Sequence, residues 1–295
     1  MIGAAVAFVI VAGALGLWLV RRLTQPSAEE RQAIALRRAE TTRSLLQQMQ
    51  SLARPALTLI PAEQPGFSKL GGEPDLPEAA DWPRVDGQPL AFLAQLDLEE
   101  VRAADGPGWL PSLGRLWAFN DDQGYGSAGH IHILHAPPSA AVARRPFPPD
   151  LKKRLRFRER PVGFRRDIVA PSIDWLGIDP REIDIEGFSA EELAAPPQGP
   201  HRDERQHRVG GYPSEIQDER MSITAELRAR GLALDGPLPP DVEEAAGEWR
   251  LLLQIDSDPA LGMNFGDAGR LYVFIKEKHA RAGDFSKTVS NWQTY

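Results

Sequence analysis

Residues 248–275 read EWRLLLQIDSDPALGMNFGDAGRLYVFI, two apolar runs separated by a connection rich in Gly, Asp and Asn. Short apolar runs bounded by such turn formers read as strands, and the two belong to one sheet. The same vocabulary occurs earlier in the chain. Leu90-Ala91-Phe92-Leu93-Ala94-Gln95-Leu96-Asp97 precedes Gly114-Arg115-Leu116-Trp117-Ala118-Phe119, as Leu252-Leu253-Gln254-Ile255-Asp256 precedes Gly269-Arg270-Leu271-Tyr272-Val273-Phe274. A Gly-Gly-x-Pro comes before each, at Gly71-Gly72-Glu73-Pro74 and Gly210-Gly211-Tyr212-Pro213. Three short matches in the same order predict a duplicated unit. The first copy is expected over residues 55–195 and the second over 196–295, divided at Pro196-Pro197-Gln198-Gly199-Pro200, with both in one compact domain.

Several of these pieces resemble the YwqG-like family of bacterial proteins, a family of unknown function. They are Ser68-Lys69-Leu70-Gly71-Gly72 with Pro74, Trp82-Pro83, the segment from Pro89 to Asp97, His207-Arg208-Val209-Gly210-Gly211-Tyr212-Pro213 with Gln217, the strand from Trp249 to Asp256, and Gly266-Asp267-Ala268-Gly269-Arg270-Leu271-Tyr272. The resemblance implies an α+β fold with mostly antiparallel sheet, here built from the two copies. It implies no catalytic residue. A companion role in toxin systems is one version of its function.

Composition bounds the rest. The fractions of 42% hydrophobic and 25% charged residues in 295 are those of a globular protein with an ample core. A net charge of -7 argues against nucleic acid as a partner for the surface as a whole. The absence of cysteine excludes thiol catalysis, disulfides and cysteine-ligated metals. No Walker loop, dinucleotide-binding glycine motif, Gly-x-Ser-x-Gly elbow or His-Glu-x-x-His run occurs.

Residues 1–20 carry no charged side chain and are followed by Arg21-Arg22. A span of that length suits a transmembrane helix, so an anchor over residues 1–22 is expected, with residues 2–20 in the lipid bilayer. The arginine pair places the following domain on the cytoplasmic side of the inner membrane. A cleaved signal peptide is the rival, but its basic residues come before the apolar run. An amphipathic helix follows over residues 23–54, opened by the Ser27/Glu30 capping box and striped by Ala35, Ala39, Thr42, Leu46, Met49 and Ala53.

Candidate site residues fall in three groups. Gln95 with Asp97, and Gln254 with Asp256, are two apart on their strands, so each pair shares a face. They read as a ligand site at the junction of the copies or as caps on backbone groups where strands end. Asp258 and Asp267 add carboxylates to the second pair, giving a divalent-metal possibility without the spacing of an EF-hand. Among the histidines, His130 and His132 share a strand face, and His207 is the acid-base candidate. Finally Arg154, Arg156, Arg158 and Arg160 alternate with Leu155 and Phe157, as in a strand with a guanidinium ladder open to an acidic protein partner. The expected function is a membrane-tethered, cytoplasm-facing binding or interaction protein, such as a neutralising partner of a toxin. The alternative is a metal-dependent hydrolase using Asp256, Asp258 and Asp267, with His207. No cofactor is assigned.

Overall fold

The computed structural model describes residues 27–121, 130–176, 207–217 and 220–295. It opens on helix α1 (Ala28–Ser51), where the Glu30 amide donates to Ser27 Oγ at 3.1 Å and the Ser27 amide donates to the Glu30 carboxylate at 2.7 Å. That reciprocal cap satisfies two of the amides a helix start leaves open. Only the second half of α1 meets the rest of the protein, burying Thr42, Leu45 and Met49 near Ala170 and Leu176. Pro55 then forces extended backbone.

The chain continues as strands β1 (Arg54–Pro61), β2 (Lys69–Leu70), β3 (Asp75–Pro77), β4 (Arg84–Val85), β5 (Gln88–Pro89) and β6 (Ala91–Asp97). Helix α2 (Leu98–Ala103), strands β7 (Arg115–Asp121), β8 (His130–Ala136) and β9 (Val142–Arg144), and β10 (Arg160–Val169) complete the first part. After α3 (Ile173–Leu176) come β11 (Arg208–Gly210), α4 (Met221–Ala229), α5 (Val242–Ala246), β12 (Trp249–Asp256), β13 (Arg270–Lys276), α6 (Glu277–Arg281) and β14 (Val289–Gln293). Ten strands form one sheet in the order β14-β13-β12-β11-β1-β10-β2-β6-β7-β8. Every neighbouring pair in it is antiparallel.

This order corrects the expected fold class. The halves are not consecutive blocks, because β1 pairs with β11 and β10 pairs with β2, while β1 and β10 pair with each other at the centre. Counted by pairing, β1, β2 and β6–β8 form one set and β10–β14 the other, and each set lends its long strand, β1 or β10, to the other's ladder. By this pattern β10 stands to β11–β14 as β1 stands to β2 and β6–β8. The sheet is also nearly closed, for its two outer strands meet where the Ile131 amide donates to Ser290 Oγ at 2.9 Å. Below that point Phe285, in a 3-10 turn at Phe285–Lys287, plugs the seam with its ring 4.9 Å from that of His135. Among the described residues no helix is long and apolar enough to cross a membrane, and the expected transmembrane helix is not shown. Its span, residues 1–22, lies outside the described residues, as do the acidic stretch and Pro-rich boundary at 180–200.

Closure explains the near-continuous apolar runs, because the central strands of each half are covered on both faces. Inward, Leu57, Leu93, Leu116, Val209, Leu253 and Val273 meet in one cluster. Outward, Phe92, Trp117 and Phe119 pack with Leu76, and the corresponding Leu251, Tyr272 and Phe274 pack with Met221 of α4. The ladders shift register at equivalent places, between Phe92 and Ala94 and between Leu251 and Leu253. Gly71 and Gly210 end β2 and β11 with φ of 58° and 76°. A Cβ there would strike the Arg158 carbonyl in one case and Pro107 in the other, so both the turn and the close approach call for glycine.

Candidate functional site

Gln95 is fully buried beside β2 and β3. Its Oε1 accepts from the Asp75 amide at 2.9 Å, and its Nε2 donates to the Phe67 carbonyl at 2.8 Å and to Asp75 Oδ2 at 2.9 Å. Trp117, opposite Gln95 in the ladder, donates its indole N–H to the Asp75 carbonyl. Lys69 donates to the Glu73 carbonyl at 2.6 Å and pairs with Asp75 and Glu159. Burial raises the affinity of the Asp75 carboxyl for a proton, but hydrogen bonds from Gln95, Arg144 and Lys69 outweigh it and hold the group below its usual range.

The second half repeats this arrangement with changed side chains. Gln254 Oε1 accepts from the Ser214 amide at 2.9 Å, and Tyr272, opposite it, donates to the Ser214 carbonyl at 2.7 Å. Arg208 stands where Lys69 does and donates to the Tyr212 carbonyl at 2.8 Å. Burial lowers the Arg208 guanidinium to about 10, opposed by the nearby Asp256 carboxylate, and burial likewise pushes the Tyr272 hydroxyl up. In both halves the glutamine fixes the chain after the Gly-Gly turn to the central strands, as buried amides do when they satisfy backbone groups.

The aspartates differ. Asp97 caps α2 by accepting from the Glu99 amide at 2.8 Å and lies 3.5 Å from Arg115. Asp256 is buried, accepts from Gln254 Nε2 at 3.1 Å and pairs with Arg270 at 3.1 Å. Asp267 is exposed, and its backbone, not its carboxylate, ties the following strand to Thr294. Gln95 with Asp97 and Gln254 with Asp256 therefore cap separate strand ends, and Asp267 joins neither.

His207 is buried beside Asp258. The Asp256 amide donates to its Nδ1 at 3.3 Å, which leaves the ring proton on Nε2, 3.5 Å from Asp258 Oδ2. Arg160 reaches the same carboxylate oxygen at 2.5 Å, and the Ala260 amide donates to Oδ1 at 2.9 Å. The hydrogen bond from His207 is the largest influence holding the Asp258 carboxyl well below the usual carboxylate range; burial works against it and Arg160 adds to it. This cluster pins the connection after β12 to the start of β10.

The arginine stretch is not a strand. Residues 153–155 form a 3-10 turn and only Arg160 enters β10, because Leu155 and Phe157 are drawn into the core from a turn rather than from a ladder. Arg156 donates to the carbonyls of Leu151, Pro148 and Pro149, and Arg158 to those of Pro259 and Ala260. Arg154 is exposed. His130 and His132 do share a strand, with ring centroids 5.4 Å apart. Burial and then the neighbouring His130 lower the affinity of His132 for a proton. Among the described residues no set of three His, Asp or Glu side chains is placed to hold a metal ion.

A groove of about 710 Å³ beside the seam brings together residues from α4, β13, α6 and the 3-10 turn. Its charged lining is Arg228, Arg230, Lys276, Lys278, Lys287 and Glu226. The Glu226 carboxyl, nearly inaccessible, receives Lys276 at 2.8 Å, Arg230 at 2.7 Å and the Trp249 indole N–H at 2.8 Å. Burial would raise that carboxyl, yet these three bonds hold it low and charged. No motif announces this groove, since its cations lie in segments up to about 60 residues apart; only the Arg228–Arg230 and Lys276–Lys278 pairs are local.

Fold and contacts together define an antiparallel, barrel-like domain with two related polar knots, each built on a Gly-Gly turn and a strand glutamine. The chain belongs to the family described as a domain of unknown function (DUF1963), whose profile matches residues 68–294 and so includes both knots. No curated protein matches the sequence.

Proposed function

We propose that the chain is a binding module that takes an acidic protein partner, rather than an enzyme, and that within its family it is YwqG-like on the strength of the segments quoted above. One observation carries the choice between binding and hydrolysis. The Gln95/Asp97 and Gln254/Asp256 pairs are each held by backbone groups and arginines of their own half, in separate places, whereas a hydrolytic site needs its polar groups converging on one reacting centre. A thermal-shift titration with magnesium, calcium, manganese and zinc tests it, because a ligand that prefers the native state raises the melting temperature. The expected result is no shift. A chelator-reversible shift abolished by Asp256→Asn would overturn the proposal in favour of the metal-dependent hydrolase.

A further inference from the structure

We propose that the groove beside the seam is the docking site for an acidic segment of a partner protein that also presents apolar side chains. This rests on the binding-module reading and gives it a surface. Five cations line the groove against one carboxylate, Glu226. Glu248 reaches Lys276 and Lys278 at 3.2 Å, and Asp241 reaches Arg230 at 2.8 Å, so the cations outnumber even these carboxylates by five to three. Lys287 is exposed, and Asp284, whose carboxyl is held low first by its hydrogen bond from Ser286 and also by Lys287, is a further acid near these cations, which still outnumber these carboxylates by five to four. On a chain of net charge -7 this concentration of opposite sign favours an acidic partner by charge complementarity.

A second feature specifies the partner further. The loop at 231–240 leaves the groove rim at Leu232 and returns to it where Arg230 holds Asp241. It carries Leu232, Leu234 and Leu238 at 41%, 51% and 42% exposure. An exposed leucine on the rim of a cationic groove, with two more on the loop that leaves it, suits a ligand with both carboxylates and apolar side chains, and a purely ionic ligand such as phosphate makes no use of them. An anionic lipid surface fits less well, because its plane would also meet Asp235, Glu243 and Glu244, exposed on the same loop and the helix after it, which a narrow peptide segment seated in the groove passes by.

The test is fluorescence anisotropy on the full chain with a labelled peptide of alternating Glu and Leu. An all-Glu peptide, tripolyphosphate and phosphatidylserine vesicles serve as comparison probes. The alternating peptide should bind more tightly than the all-Glu peptide. Lys278→Glu with Lys287→Glu should weaken it about tenfold or more. Leu234→Ser should weaken the alternating peptide several-fold and leave the all-Glu peptide unchanged. Lys152→Glu with Lys153→Glu makes the same charge change on exposed residues outside the groove and should leave affinity unchanged. All the substituted side chains are exposed, and an unchanged melting temperature checks that the variants fold. Peptide binding that survives the groove variants overturns the location while leaving the binding-module reading standing. Tripolyphosphate or vesicles bound through Lys278 and Lys287 in place of the peptide overturn the partner class. If no acidic probe binds at low salt, both readings fall.

Discussion

Replacing Gln95 by methionine separates a structural amide from a ligand-seeking one. The side chain has no exposure and makes three hydrogen bonds, two to backbone groups and one to the Asp75 carboxylate. Methionine fills nearly the same volume, so the loss is almost wholly polar. Each bond to backbone contributes about 1 kcal/mol, and the one to an ionised group about 1.5–3 kcal/mol. The expected cost is therefore roughly 3–5 kcal/mol, since Asp75 also keeps Lys69 and Arg144 as partners. In a domain of this size that lowers the melting temperature by roughly 10 °C. Urea unfolding followed by tryptophan fluorescence measures it, with Asp267→Ala alongside as an exposed carboxylate expected to change stability by less than about 0.5 kcal/mol. A Gln95→Met protein within about 1 kcal/mol of the parent would refute the account of the knot as structural glue.

Two further outcomes follow from the same contacts. Asp258→Asn should destabilise the protein by about 3 kcal/mol at pH 7, because it breaks a buried pair with Arg160 and leaves that cation uncompensated. The folded carboxyl has a lower proton affinity than an unfolded one, so its contribution is complete above about pH 5 and is lost as pH falls below about 4. The gap between parent and variant urea midpoints should accordingly shrink from pH 7 to pH 3; a constant gap would contradict the assigned charge. Phe285→Ala should remove the plug from the seam at a cost of about 3–5 kcal/mol. Amide exchange should then quicken first at β8 and β14, and uniform loss across the sheet would count against the seam as the weak line of the barrel.

Much of the local structure was legible in residue order. The Ser27/Glu30 cap places the start of α1, the alternation of apolar runs with Gly/Asp turns gives β6, β7, β12 and β13, and the matching Gln-x-Asp positions pick out the two equivalent knots. The orientation of those glutamines toward backbone was one of two readings open at that point. Choosing it required the Asp75 and Ser214 amides, which are 20 and 40 residues away in the chain.

What residue order decided by itself is whatever depends on neighbours within a few positions: caps, turns that need positive φ, and the period that puts a side chain on one face. Tertiary structure decided what depends on distant partners. The period of two in Arg154-Leu155-Arg156-Phe157-Arg158 suggests a strand, yet carbonyls at 148–151 and 259–260 give Arg156 and Arg158 better partners than solvent, and the backbone turns to meet them. The exchange of β1 and β10 between the halves has no local signal either, because either pairing would bury similar apolar faces. The observed pairing is fixed by contacts between residues more than a hundred positions apart, such as Thr58 with Asp167. The seam groove is likewise a tertiary product: its cations become neighbours where α4, β13, α6 and the 3-10 turn pack together.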